Sequence, residues 1–146
     1  MVQTGQSLAT HTRWHPPFHF FLAPVLLIHL IWSGKRAWSA PGWETAEGLL
    51  LAVALVVMGF LTRTNPLKAQ DRLIRLEEHL RYQRTLPSDL AAQAIKGLDE
   101  GQIVALRFAS DAELADLVRK VLAGNPGKQA EIKKAIKIWR GDYFRV

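Results

Sequence analysis

Two apolar runs free of Asp, Glu, Lys and Arg, residues 18–33 (FHFFLAPVLLIHLIWS) and 48–62 (GLLLAVALVVMGFLT), lie close together near the N-terminus. A helix needs about 20 mostly apolar residues to cross the hydrocarbon core of a bilayer. Each run reaches that length once its flanks, 17–38 and 43–64, are counted. The pattern predicts an all-α protein: a tail over 1–16, a two-helix transmembrane hairpin over 17–64, and a small cytoplasmic helical domain over 65–146. The whole-chain mean hydropathy, +0.01, conceals this because an apolar third is averaged with a charged remainder.

Of five tryptophans, Trp14, Trp32, Trp38 and Trp43 fall at the ends of the two runs, where amphipathic rings favour the headgroup level. Pro24 lies inside the first run and predicts a kink, since it cannot donate a backbone hydrogen bond. Removal of the first run as a signal peptide is not expected. A cut after Ala40 would place Trp38 where a small residue is wanted, and Lys35 and Arg36 follow the run directly.

Lys and Arg near the spans set the orientation. Lys35 and Arg36 lie between the runs, whereas Arg13, Arg63, Lys68, Arg72 and Arg75 flank their other ends. Both termini are therefore expected in the cytoplasm, with the loop around Pro41 and Gly42 outside. The absence of cysteine excludes disulfides and thiolate metal sites.

Asn65-Pro66 reads as a helix start, and LKAQDRLIRLEEHLRYQRTL as the helix. Asp71 with Arg75 and Glu77 with Arg81 stand in the supportive i,i+4 order as exposed pairs. Ala69, Leu73, Leu76 and Leu80 form a narrow seam suited to a partner helix. The first expectation is that this seam closes on the chain's own later helices, and the other that it takes a helix from another chain. Short capped helices follow. Ser88 opens DLAAQAIKG, while Asp99 with Gln102 and Ser110 with Glu113 form capping-box patterns. Gly124-Asn125-Pro126-Gly127 stops the third of these helices. The last helix, KQAEIKKAIKIW, places Ile132, Ala135, Ile136 and Trp139 on one face and Lys133, Lys134 and Lys137 away from it.

Basic residues beside a span are drawn to anionic lipid by about 1 kcal/mol each. Arg63, Lys68, Arg72 and Arg75 are accordingly assigned to headgroups, as are Lys133, Lys134 and Lys137 if the last helix reaches the surface. Partner contacts are assigned to Leu73, Leu76, Leu80 and Trp139. No aromatic and basic interleaving marks a nucleic-acid platform, so no nucleic-acid partner is expected. There is no phosphate loop, metal-ligand spacing or nucleophile elbow, and Arg140-Gly141-Asp142 reads as a chance adhesion tripeptide. His29 stands alone as an ionisable residue well inside a span, where such groups face protein or a cofactor. An intramolecular or interfacial hydrogen bond, a polar contact with another subunit, or ligation of a haem iron or chlorin magnesium are its three readings.

The two spans, followed by KAQDRLIRLEEHLR, QIVALRFASDAELADLVRKVL and IKKAIKIWRGDYFRV, resemble a family of small bacterial two-pass membrane proteins classed as a domain of unknown function. The resemblance runs nearly end to end and implies a bacterial inner-membrane protein. It carries no catalytic residues. The residues themselves suggest a non-catalytic accessory subunit of a larger membrane complex, in contact with other subunits and anionic lipid. The alternative is a haem- or chlorin-binding transfer protein using His29.

Overall fold

The structure, a computed structural model, describes residues 7, 8 and 15–142. Arg13, Trp14 and the terminal residues 143–146, which entered the orientation, belt and family readings, lie outside them. The described residues are all-α, with helices α1 (Ala23–Ser39), α2 (Trp43–Thr85), α3 (Ser88–Gly97), α4 (Glu100–Leu106), α5 (Asp111–Leu122) and α6 (Gln129–Ala135). They divide into two compact units, one within Arg13–Leu67 and the other within Lys68–Val146 together with Met1–Thr12.

In the first unit a π-helical turn, Pro17–Leu22, leads directly into α1. A π-helical turn stands where a kink was expected at Pro24. A proline at that position cannot donate to the carbonyl four residues back and its ring crowds that carbonyl. Instead, the N–H of Ala23 reaches back five residues to Phe18 O, a widened turn that leaves Pro24 in the first turn of α1. The connection to α2 is tied by Thr45, whose hydroxyl donates to Ala40 O at 2.9 Å and Gly42 O at 3.0 Å. Small residues line the inner face of the helical pair: Ser33, Ala52 and Gly59 are buried. A Cβ at Gly59 would lie 2.7 Å from Leu26 Cδ1, the mobile end of a side chain that would have to shift to admit it. Phe20, Phe21, Ile28, Ile31, Leu50 and Phe60 point outward and are exposed, as are Trp32, Trp38 and Trp43.

The start expected at Asn65-Pro66 is not a start. Helix α2 runs unbroken through it to Thr85, with Pro66 in its interior. Proline removes one backbone bond, but Leu67, Lys68, Ala69 and Gln70 beyond it are strong helix formers, so the helix resumes.

The second unit is built around Tyr82, Ile103, Leu106, Phe108, Leu114, Val118 and Ile132, all nearly inaccessible. Its helices are closed by the devices their sequences contain. Asp99 Oδ1 accepts the Gln102 N–H at 2.8 Å and Gln102 Oε1 accepts the Asp99 N–H at 3.0 Å, a complete capping box. At the end of α5, Gly124 adopts φ 82°. The N–H of Asn125 bonds Lys120 O and that of Gly124 bonds Val121 O, which satisfies the last carbonyls.

One cap and one helix end differ from expectation. Ser110 occupies the N-cap of α5, but its side chain makes no cap bond and Glu113 does not turn back to it. Both Glu113 carboxylate oxygens are taken by the backbone N–H groups of Lys137 and Ile138, at 3.1 and 3.0 Å. The last helix is shortened for the same reason. It stops at Ala135, and the segment after it runs extended so that Ile138 O accepts from Ser110 N and Arg140 N donates to Phe108 O. Trp139 forms an isolated antiparallel bridge with Ala109.

Candidate functional site

Helix α2 in the second unit has two dissimilar faces. Ile74, Glu78, Arg81 and Tyr82 turn into the domain and are at most 5% exposed. Leu73, Leu76 and Leu80 lie on the other side and are 55%, 57% and 49% exposed. The expectation that the leucine seam closes on the chain's own helices is thus corrected: the domain takes the neighbouring mixed stripe, and the seam stays open. Ala69 continues it and is also exposed.

The buried stripe contains the strongest electrostatic feature of the unit. The Arg81 guanidinium lies 3.1 Å from Glu78 Oε2 and 2.6 Å from Asp111 Oδ1, and donates to Ala109 O at 2.7 Å. Arg140 Nη1 approaches the other Glu78 oxygen at 3.5 Å. The exposed Glu77–Arg81 pair expected from spacing is thus replaced: Glu77 stays exposed, while Arg81 is buried with Glu78, which is 4% exposed. Burial raises the Glu78 carboxyl above its ordinary value, outweighing the opposing attraction of Arg81. Burial likewise pushes the Tyr82 phenol up and His79 down.

Around this pair opens a cleft of about 510 Å³, walled by Ile74, Glu77, Arg81 and Arg84 on α2 and by Arg107, Arg140, Gly141 and Asp142 opposite. Arg107 Nε faces Asp142 Oδ2 at 3.3 Å. Arg140-Gly141-Asp142 is thus part of the cleft wall, with both charged side chains paired inside the domain. Sequence reading missed the cleft because its charges neutralise one another across elements far apart in the chain.

Trp139, assigned to a partner, packs at home. Its ring lies 5.2 Å from that of Phe108, which also carries Arg107 at 4.6 Å and Lys133 Nζ at 5.7 Å from its centroid. Lys133 is therefore a half-buried contact of the core edge and is removed from the headgroup set, while Lys134 and Lys137 are exposed. Lys68, Arg72 and Arg75 are exposed on α2, and Arg63, in the first unit, is half-buried.

His29 is exposed on α1, beside the face that carries Leu26, Leu30 and Ser33. No hydrogen bond to its ring is found among the described residues. No three His, Asp or Glu side chains gather as a metal-binding group among the described residues.

The architecture is that of an α-helical protein in which two helices, Pro17–Ser39 and Trp43–Thr85, are long and apolar enough to cross a membrane. The chain belongs to the family of unknown function DUF6526, whose match spans residues 1–146. No curated protein and no solved structure matches it.

Proposed function

We propose that this chain is a two-pass bacterial inner-membrane protein, both termini cytoplasmic, serving as a non-catalytic accessory subunit that docks through the outward face of α2. The observation that carries the reading is the exposed stripe Leu73, Leu76 and Leu80 on a helix whose opposite face is already buried. Three leucines at spacings of three and four, open to water in a charged domain, are the pattern of a helix awaiting a helix.

Membrane placement is supported by the continuous apolar exposure of the first unit, including Phe21, Ile28, Leu50 and Phe60. Exposed Trp38 and Trp43 stand beside the connection between α1 and α2, in keeping with a headgroup belt. Lys68 and Arg75 are available to anionic lipid just beyond the second apolar run.

Single cysteines at exposed Ser39 and at exposed Ser88, chosen over Ser110 whose hydroxyl is buried in the domain, test the topology in the otherwise cysteine-free chain. An impermeant thiol reagent added to intact cells should label Ser39→Cys and spare Ser88→Cys. The reverse result overturns the orientation, and equal labelling of both overturns the two-pass placement.

The exposed position of His29 favours a second reading, a haem or chlorin ligated from outside the helical pair. The second apolar run contains no histidine, so a two-histidine haem would take its other ligand from another chain. An absorption spectrum of the gently purified protein separates this reading from the first.

A further inference from the structure

We propose that the leucine face of α2 is covered by the same face of a second copy of this chain, the two helices running parallel. The inference rests on the docking reading and names its partner. In heptad terms Ala69, Leu73, Leu76 and Leu80 occupy d, a, d and a, the positions that meet across a two-stranded pair. The buried residues Ile74, Glu78 and Tyr82 fall at b, f and c, off the seam, while Glu77 and Leu80 at its margin also border the cleft.

Two further constraints select a second copy and fix its direction. Copies inserted in one membrane with one topology present α2 pointing the same way. Their identical faces can then meet only about a two-fold axis along the membrane normal. That arrangement is parallel, and the flanking charges suit it. Arg72 is at g and Glu77, five residues on, is at the following e, both exposed. Parallel pairing sets g of one helix against the following e of the other, so each Arg72 meets the partner's Glu77, twice by symmetry. An antiparallel pair sets g against g and e against e, so Arg72 would meet His79 and Glu77 would meet Gln70, and the Arg72–Glu77 attraction would be lost. The seam covers only about two heptads, short for a free coiled coil, but confinement to one membrane supplies a high effective concentration.

Cysteine cross-linking in native membranes decides the matter, because the chain contains no cysteine of its own. Leu73→Cys, Leu76→Cys and Leu80→Cys should each give an oxidised dimer of twice the chain mass, while Arg75→Cys, on the flank, should give little. Adding Arg72→Glu to Leu76→Cys should lower the dimer yield several-fold, and Glu77→Arg added to that chain should restore it. A Leu76→Cys chain captured in an adduct with a different protein, and not with itself, overturns the second-copy proposal but leaves the docking reading standing. Cross-linking at Arg75→Cys as strong as at Leu76→Cys overturns the proposal, since it marks random collision. No product at any of the leucine positions overturns both.

Discussion

Arg81→Met will destabilise the second unit by about 3–5 kcal/mol, the usual effect of removing one member of a buried ion pair. Arg81 and Glu78 have side chains only 6% and 5% exposed. Without the guanidinium, the Glu78 carboxylate retains only Arg140 at 3.5 Å, itself 55% exposed. The same substitution frees Ala109 O and Asp111, so the α4–α5 corner loses its tie to α2. The defect should depend on pH in a definite direction. Burial already holds the Glu78 carboxyl above 4.5, and loss of Arg81, a cause that lowers it, sends it higher. Between the ordinary and the raised value the folded state holds a proton that the unfolded state has lost. Stability therefore falls as pH rises through that window and recovers as pH drops towards 4.5. Denaturant unfolding of the full chain at several pH values checks this. Adding Glu78→Gln to Arg81→Met should remove the pH dependence and recover part of the loss. A defect indifferent to both pH and Glu78 would contradict the pair as its origin.

Phe108→Ala should cost about 3–5 kcal/mol, the range for deleting a buried aromatic ring. Phe108 is 1% exposed and its ring joins Arg107, Lys133 and Trp139, so its removal opens a cavity and leaves the extended C-terminal segment without its apolar seat. The Trp139 emission should shift to the red in the variant, as that ring becomes wetter. An unchanged spectrum together with unchanged unfolding would show that the segment is held by its backbone bonds to Phe108, Ser110 and Glu113 and not by the ring.

Much of the fold was legible before any coordinates, because its signals are local. The two apolar runs, the Asp99–Gln102 box and the Gly124 stop each act within a few residues, and each appears where it was read. What escaped the sequence depends on distant partners. Glu113 satisfies Lys137 and Ile138 N–H groups across the fold instead of its own helix start, and this ends the last helix early. Pattern counting selects the most apolar stripe of a helix as its core side. On α2 the core side is a mixed stripe, made burial-competent by the Glu78–Arg81 pair, which the sequence displays only as charges. The leucine stripe was visible in the sequence, but its direction was not, and the structure leaves it exposed.

Leu73→Asp in the full chain, with thermal unfolding and association measured on the same membrane-extracted sample, tests this most directly. Because Leu73 is half-exposed and clear of the core, the melting midpoint should stay near that of the parent, a change within about 0.5 kcal/mol. Association should be lost, since a carboxylate left unpaired in a closed helix interface is strongly unfavourable. An unfolding defect as large as that of Phe108→Ala would mean that the stripe is buried within the chain, and undiminished association would mean that nothing docks there.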